Sequence, residues 1–250
     1  MFTLKKSLGQ HFLKNEAVVK KIVDALLQHP FTNLLEVGPG GGALTKHLLQ
    51  ISNINFKAVE LDEEKVKWLL ATYPTLNGKL IHKSFLEIEK PFEEKFTVVG
   101  NFPYNISTQI LFKILQWKED VECMVGMFQK EVAQRIAAKE GSKVYGITSV
   151  LTQAYFAVEY LFNVNEAAFD PPPKVKSGVI RLLPSKKQTI KSDELFFKLV
   201  KAAFNQRRKT LRNAVKSLFN EVELNDPVFN KRAEQLKVEE FAALTFKMKS

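Results

Sequence analysis

The chain has little cysteine and no long apolar run. Its 250 residues include one cysteine, Cys123, which lies in the apolar stretch 121–125 and is expected in a buried strand. A single cysteine excludes a disulfide framework and a cysteine metal cluster, and no metal site is expected. No segment approaches the roughly 18 apolar residues of a membrane span, and the N-terminus does not have the pattern of a secretory leader. We therefore expect a cytoplasmic protein.

Acidic residues are outnumbered, with 27 Asp and Glu against 37 Lys and Arg, a formal net charge of +10. This excess favours a polyanionic partner. It is concentrated over residues 185–250, which contain 15 Lys and Arg and eight Asp and Glu. Seven basic residues and no acid lie between Lys198 and Lys216, whereas a merely solvated helix face would have interleaved acids. The side chains that we assign to phosphate contact are Lys201, Arg207, Arg208, Lys209 and Arg212.

Apolar patterns alternate between strands and helices over most of the chain. Short apolar runs predict strands at 34–37, 56–60, 79–82, 96–100, 121–128, 157–164 and 179–183. Helical spacing predicts helices at 18–27, 43–49, 63–72, 108–117 and 147–154. This alternation predicts an α/β fold with a parallel, doubly wound sheet, closed by a hairpin of the last two strands. Only helical faces follow Pro184, so we expect domains at 1–184 and 185–250.

A glycine-rich turn, Gly38-Pro39-Gly40-Gly41-Gly42, follows the first predicted strand. Such a turn lets a ligand approach bare backbone, where a side chain would collide. Glu60 ends the second strand, 22 residues after Gly38, near the spacing at which an acid binds ribose hydroxyls. Glu36, beside the turn, is placed to support its backbone or to face a positively charged cofactor. These residues suit both NAD and S-adenosylmethionine, and the turn alone does not separate the two.

The segment Asn101-Phe102-Pro103-Tyr104 follows the strand predicted at 96–100. An adenine amino group is a poor nucleophile because its lone pair is delocalised into the ring, so a methyl-transfer site must draw this nitrogen toward tetrahedral geometry. The Asn101 amide oxygen and the Pro103 carbonyl would each accept one N–H bond, while the Tyr104 ring stacks on the base. The segment therefore indicates direct transfer of a sulfonium methyl to an amine, without a strong general base.

Five separated motifs resemble those of the small-subunit ribosomal RNA adenine N6-dimethyltransferases, the KsgA family. The motifs are residues 6–13, 36–40, 101–104, 169–177 and 204–213. The resemblance covers nearly the whole chain and implies a Rossmann-like class I methyltransferase domain that binds S-adenosylmethionine, followed by a small, all-α, basic RNA-binding domain. It also implies that Gln10 and Phe12 lie near the cofactor, that Glu60 binds its ribose, and that Phe169 helps to hold the target adenine.

Two positions depart from the family pattern. Ser84, in Ser84-Phe85-Leu86, stands where the family usually has an Asp that accepts from the adenine amino group of the cofactor. A serine hydroxyl accepts more weakly, and we still assign Ser84 and Phe85 to the cofactor site. Phe102 replaces the usual Leu, which changes apolar bulk and leaves the proposed acceptors intact.

The resemblance implies dimethylation of two adjacent adenosines in a hairpin loop of small-subunit ribosomal RNA during ribosome biogenesis. The target adenine must be unpaired or flipped out. The expected partner is the small ribosomal subunit, and a monomer is expected. Three alternatives remain: a large-subunit rRNA adenine methyltransferase of the antibiotic-resistance type, an NAD-dependent oxidoreductase, and a non-catalytic RNA-binding ribosome-assembly factor. The motifs at 169–177 and 204–213 favour the small-subunit substrate.

The basic cluster yields a first prediction. Replacing Arg207 and Arg208 together by alanine weakens RNA binding and flattens its salt dependence, because the slope of log affinity against log salt falls by about 1 for every phosphate that the protein no longer neutralises. Titration of RNA at several salt concentrations measures both effects. An unchanged slope would remove these arginines from the phosphate-binding surface.

Overall fold

A computed structural model describes residues 11–185, 188–206 and 208–249. These residues form two compact units. The first ends at Ala133 and resumes over Glu159–Pro184, and the second comprises Gln134–Val158 and the chain from Ser185 onward. The division expected from the sequence, 1–184 and 185–250, shares the boundary after Pro184 but differs at 134–158, a segment that groups with the C-terminal helices.

A mixed sheet forms the centre of the first unit. The strands are β1 (Phe12–Leu13), β2 (Asn33–Val37), β3 (Asn55–Glu60), β4 (Leu80–His82), β5 (Phe96–Asn101), β6 (Val121–Gln129), β7 (Phe156–Val164), β8 (Phe169–Asp170) and β9 (Ser177–Pro184). The seven-stranded sheet has the order β4-β3-β2-β5-β6-β9-β7, and β1 pairs with β8 separately. Strands β2 to β6 are mutually parallel, whereas β9 runs antiparallel to β6. The predicted α/β class is confirmed, as is the pairing of the last two long strands at the end of the sheet.

Helices follow the strands of the first unit, as expected for this class. They are α1 (Glu16–Leu27), α2 (Thr45–Leu48), α3 (Glu63–Thr72) and α4 (Ser107–Gln116), with α5 (Lys130–Ile136) after β6. Helix α1 begins where the Asn15 side chain accepts a hydrogen bond from the Val18 N–H at 3.2 Å. Helix α2 is shorter than predicted because turns occupy the residues up to 44, where Gly42 has a φ of +80°. The sequence patterns did not reveal α5, β1 or β8.

The second unit is helical. Its α-helices are α6 (Ile147–Gln153), α7 (Asp193–Asn205), α8 (Leu211–Val215), α9 (Glu221–Leu224) and α10 (Val238–Leu244). The Phe204 ring stacks on Phe241 with centroids 5.9 Å apart and meets Tyr145 edge-on at 6.1 Å. The Gly141 N–H also donates to the Glu234 carbonyl at 2.7 Å. These contacts between distant parts of the chain are the reason that residues 134–158 belong to this unit.

Two further expectations from the sequence concern Cys123 and membrane-spanning segments. Cys123 is buried in β6, as predicted. Within the described ranges, no helix has both the length and the apolar character that crossing a membrane requires.

Two fully buried threonines of the first unit provide a matched test of its packing. Thr97 in β5 has a hydroxyl without a hydrogen-bond partner among the described residues, whereas the Thr45 hydroxyl donates to the Glu36 carboxyl at 2.7 Å. Replacement of Thr97 by valine is expected to raise the free energy of unfolding by about 1 kcal/mol, because an unsatisfied hydroxyl leaves the core. Replacement of Thr45 by valine is expected to lower it by about 1–3 kcal/mol. Urea unfolding of both variants measures the difference, and equal losses would contradict the assignment of Thr97 as unsatisfied.

Candidate active site

A cavity of about 300 Å³ lies in the first unit, where the carboxyl ends of β2, β3 and β5 meet. Parallel α/β sheets bind their ligands at this edge. Ten of the residues that the sequence assigned to the cofactor or to catalysis line the cavity. They are Phe12, Glu36, Gly38, Gly40, Glu60, Ser84, Phe85, Asn101, Pro103 and Tyr104.

The glycine turn forms one wall of this cavity. Gly38 and Gly40 have φ angles of +68° and +56°, a region in which side chains with a Cβ are strained. The Gly38 N–H donates to the Val59 carbonyl at 2.9 Å, which fixes the start of the turn against β3. The Phe12 ring lies directly on the turn, since a Cβ built on Gly41 would come within 3.3 Å of it. The backbone of the turn is therefore both exposed to the cavity and held in place.

The Glu60 carboxylate holds the other side of the turn. Its Oε2 accepts from the Gly40 N–H at 3.0 Å, and its Oε1 accepts from the N–H groups of Leu61 and Asp62 at 2.9 and 3.0 Å. A carboxylate offers about four acceptor positions, so one remains, on Oε2. A ribose with two hydroxyls would have to share Glu60 with the Gly40 N–H or displace it.

Glu36 is a fully buried carboxyl in the cavity wall. Its Oε2 accepts from the Thr45 hydroxyl at 2.7 Å. Burial raises the pKa of Glu36 from its ordinary value to about 8, with a further contribution from the nearby Glu60 charge. This carboxyl is therefore mostly neutral at pH 7, which suits support of the turn better than a permanent negative charge facing a ligand.

The loop after β5 brings a polar acceptor to the cavity. The Asn101 Nδ2 donates to the His11 carbonyl at 3.1 Å, which leaves the Asn101 Oδ1 as the acceptor of that amide. The His11 Nδ1 lies 2.9 Å from the Pro171 carbonyl, an acceptor, so this ring nitrogen carries the hydrogen. His11 thus connects the N-terminal segment, the loop and the turn at Pro171, and it fixes the orientation of the Asn101 amide.

Tyr104 is held at two points. Its hydroxyl is 2.5 Å from the Ser177 hydroxyl, and its ring centroid is 5.5 Å from that of His11. Burial raises the pKa of Tyr104, so this phenol stays neutral. The ring is only partly buried, which leaves part of it available for contact with a ligand.

Phe102 anchors the same loop from beneath. Its ring is fully buried and meets Phe128 edge-on, with centroids 5.1 Å apart. A Cβ built on Gly100 would lie 2.7 Å from this ring, and one on Gly126 would lie 2.3 Å from it. Because Gly100 and Gly126 have no side chains, they leave a space that the Phe102 ring fills, and we call this space the Phe102 socket.

The Pro103 carbonyl is already in use within the loop. It accepts from the Ile106 N–H at 3.2 Å, in the turn that leads into α4. A carbonyl oxygen has two lone pairs, so one is left for a substrate amine. One lone pair is enough for the single N–H bond that the sequence analysis assigned to this carbonyl.

Ser84 and Phe85 lie at the cavity as well, after β4. The Ser84 Oγ accepts from the Leu86 N–H at 3.3 Å, which caps the short 3-10 helix Phe85–Glu87. The hydroxyl keeps its own hydrogen as a donor. The Phe85 ring is buried and meets Trp117 edge-on at 5.5 Å, so its position is fixed by the core.

Comparison with known proteins gives the chain its family. The sequence profile described as "Ribosomal RNA adenine dimethylase" matches residues 1–248. The chain belongs to this family. It is 52% identical to Ribosomal RNA small subunit methyltransferase A of Cytophaga hutchinsonii over 246 residues, which cover 96% of this chain and 95% of that relative. The corresponding protein of Flavobacterium johnsoniae is 50% identical over 251 residues, covering 98% and 96% of the two chains.

Solved structures agree with the fold. A dimethyladenosine transferase from Plasmodium falciparum has a TM-score of 0.76 and 26% identity, covering 92% of this chain and 94% of that one. The 23S rRNA methyltransferase ErmE has a TM-score of 0.69 and 24% identity, covering 93% and 99%, and supports the fold alone. The class I methyltransferase fold and the family predicted from the five motifs are confirmed. An oxidoreductase is not supported.

Three residues that were assigned from the sequence either do not line the cavity or lie outside the described residues. Phe169, expected to hold the target adenine, is fully buried in the hydrophobic core and pairs with Leu13 through β8 and β1. Gln10 and Arg207 lie outside the described residues. The roles of all three stay predictions.

The basic residues of the second unit have different degrees of exposure. Lys201 lies on α7 and is exposed, as are Arg208 and Lys209 between α7 and α8. Arg212, on α8, is partly buried, and its Nε has no hydrogen-bond partner among the described residues. Of the five residues assigned to phosphate contact, Lys201, Arg208 and Lys209 are therefore the exposed ones among the described residues.

The cavity is also lined by polar residues that the sequence analysis did not assign, among them His11 and Lys65. His11 lies within the N-terminal motif, which could have identified it, although not its contact with Asn101. Lys65 lies in α3 and lines the cavity, yet a lysine in an amphipathic helix is normally expected at the surface. In the described part of the chain, no group of three or more His, Cys, Asp or Glu side chains is arranged to bind a metal ion.

The buried Glu36 yields a pH prediction. Its raised pKa means that the folded state binds a proton more tightly than the unfolded state, so its contribution to stability falls as pH rises from about 4.5 to about 8. Replacement of Glu36 by glutamine removes this loss. We expect the free energy of unfolding of the variant, minus that of the unsubstituted protein, to rise by about 3 kcal/mol between pH 5 and pH 8.

Urea unfolding at several pH values measures this difference. The exposed Glu89→Gln variant serves as the control and should give a curve parallel to that of the unsubstituted protein. Parallel curves for the Glu36 variant would show that this carboxyl ionises normally in the folded protein.

Proposed function

We propose that this chain is an S-adenosylmethionine-dependent methyltransferase that dimethylates N6 of adenosines in small-subunit ribosomal RNA. The observation that carries the proposal is the position of the Asn101 acceptor and the Tyr104 ring beside the glycine turn, in one cavity. Membership of the ribosomal RNA adenine dimethylase family and the names of the curated relatives support the same reaction and the small-subunit substrate.

The cavity suits S-adenosylmethionine as the cofactor. Its volume of about 300 Å³ is at the lower end for a ligand site. Gly38 and Gly40 line the cavity without side chains, and Glu60 has an acceptor position for a ribose hydroxyl. We assign Phe12, Ser84 and Phe85, which line the cavity, and Gln10, which lies outside the described residues, to the same ligand. When bound, the cofactor supplies a methyl group activated by its sulfonium.

The loop after β5 then prepares the target amine. The Asn101 Oδ1 accepts one N–H of the adenine amino group, and the remaining lone pair of the Pro103 carbonyl accepts the other. Together these bonds favour tetrahedral nitrogen and aim its lone pair at the methyl group. Tyr104 stacks on the base. The proton leaves once nitrogen is alkylated, because alkylation makes it acidic, so no strong base is needed.

The second unit is assigned to RNA binding. Lys201, Arg208 and Lys209 are exposed within a stretch without acids, and Arg207 and Arg212 belong to the same stretch of sequence. Arginine forks grip phosphate oxygens in pairs, and lysines act as point charges. We assign the substrate to the small ribosomal subunit or its RNA, with two methyl groups on each of two adjacent adenosines, and the protein to the cytoplasm as a monomer.

Asn101 tests the catalytic assignment. Replacement of Asn101 by alanine is expected to lower the rate of methyl transfer by at least about 10²–10³-fold, because the amine loses a preorganised acceptor. Affinity for RNA should stay nearly unchanged. Incorporation of labelled methyl groups under saturating cofactor and RNA measures the rate, with Asn77→Ala, in an exposed turn, as the control. A full-rate Asn101→Ala enzyme would overturn the mechanism.

The substrate is tested with three acceptors in parallel. Under-methylated small subunits, large subunits and naked ribosomal RNA are incubated with labelled S-adenosylmethionine, and the modified adenosines are mapped. Labelling of N6 in small-subunit RNA supports the proposal. Incorporation only into large-subunit RNA would assign the antibiotic-resistance type of reaction, and RNA binding without any incorporation would assign a non-catalytic assembly factor.

A further inference from the structure

A lysine is buried in the wall of the proposed cofactor cavity. Lys65 lies in the first half of α3, lines the cavity and is 2% exposed. A buried ammonium is costly unless nearby groups compensate its lost hydration. The contacts of this side chain therefore indicate what holds it in the cavity wall.

Two of these contacts come from different directions. The Asp62 Oδ2 lies 4.0 Å from the Lys65 Nζ, at the N-terminal end of the same helix. The Phe12 ring presents its face to the same ammonium, with the centroid 4.8 Å from Nζ. An ammonium at this distance is attracted to the negative face of an aromatic ring, and more strongly when both are shielded from water.

The strand that carries Phe12 is short. Strand β1 has two residues and pairs only with the two residues of β8. Its ring nevertheless forms the cover of the glycine turn, within 3.3 Å of a Cβ built on Gly41 and 3.6 Å of one on Gly40. The Lys65 ammonium is therefore a point of attachment for this ring in addition to the short backbone pairing.

The same contacts continue to the opposite side of the turn. The Asp62 N–H donates to the Glu60 Oε1, and the Glu60 Oε2 accepts from the Gly40 N–H. The order of contacts is Gly40, Glu60, Asp62, Lys65, Phe12 and again Gly40, a closed ring of side chains and backbone around the turn. Lys65 is the only member of this ring that carries a positive side-chain charge.

We propose that Lys65 is a positioning residue for the cofactor, which holds the Phe12 ring against the glycine turn and so keeps that wall of the cavity in its binding geometry. The inference rests on the proposed function for the identity of the ligand. Lys65 acts through Phe12 on cofactor binding and takes no part in methyl transfer. A bulk electrostatic role is the competing explanation, because Glu36, Glu60 and Asp62 are also buried at this site.

Calorimetric titration of Lys65→Met with S-adenosylmethionine and, separately, S-adenosylhomocysteine distinguishes these explanations. Methionine keeps the length and apolar character of the side chain and removes its charge. Positioning through Phe12 predicts that both Kd values rise by the same factor, about tenfold. A bulk electrostatic role predicts unequal factors, because loss of a positive charge favours the cationic sulfonium over the neutral thioether. Unequal factors, or unchanged Kd values, would overturn the proposal.

Two further variants test the route through Phe12. Lys65→Arg keeps a cation over the ring and should restore most of the affinity. Phe12→Leu removes the aromatic face, and in that background Lys65→Met should weaken binding by less than about twofold, because the partner is gone. A full tenfold effect in the Phe12→Leu background would contradict the proposal. Lys67→Met is the matched control, since Lys67 lies on the same helix but is exposed and pairs with Glu63 at 2.7 Å.

Kinetics and folding complete the test. At saturating RNA, Lys65→Met should raise KM for the cofactor about tenfold and leave kcat unchanged, whereas a fall in kcat with constant KM would overturn the proposal. If Lys65→Met does not fold, Lys65→Arg and Phe12→Leu are compared instead. Near-normal cofactor binding by Lys65→Arg together with weakened binding by Phe12→Leu supports the proposal. Any other pattern contradicts it. Failure of the unsubstituted protein to bind either ligand would instead overturn the proposed cofactor.

Discussion

The Glu60 carboxylate accepts hydrogen bonds from three backbone N–H groups, one in the glycine turn and two just before α3. Bonds of this kind are strengthened by the negative charge, and they join segments that the chain brings together only through the parallel sheet. The group expected to recognise a ribose is therefore already part of the support of the cavity. If Glu60 binds a ribose hydroxyl as proposed, the hydroxyl takes the remaining position on Oε2 or replaces the Gly40 N–H there, and the two bonds to Oε1 keep the carboxylate in place.

Local patterns were sufficient for the main elements and for much of the site. The turn from Gly38 to Gly42, Glu60 and the loop from Asn101 could be found because each follows an apolar run that is typical of a strand. Parallel strands bring their carboxyl ends to one edge, so the order of strands and helices predicts that these residues meet. The structure agrees in placing these segments at one cavity.

Features that depend on contacts between residues far apart in the sequence could not be predicted from local patterns. Nothing local distinguishes Lys65 from Lys67 on α3, yet one is buried beside Phe12 and the other is exposed. Residues 134–158 show ordinary helical and strand patterns, and tertiary contacts such as those with Phe204 and Glu234 place them with the C-terminal helices. The shared use of the Pro103 carbonyl and the full burial of Phe169 likewise follow from tertiary packing, which periodicity does not encode.

The Phe102 socket shows that the conformation of residues 101–104 depends on residues outside this tetrapeptide. The Phe102 ring occupies volume that two glycines leave open, one on the strand that carries the loop and one on the neighbouring strand β6. Grafting residues 101–104 onto another sheet would transfer the chemical groups without the packing that positions them, unless both glycines and Phe128 were transferred as well. The smallest unit that protein engineering could transfer is therefore the loop together with the parts of β5 and β6 that pack against the Phe102 ring.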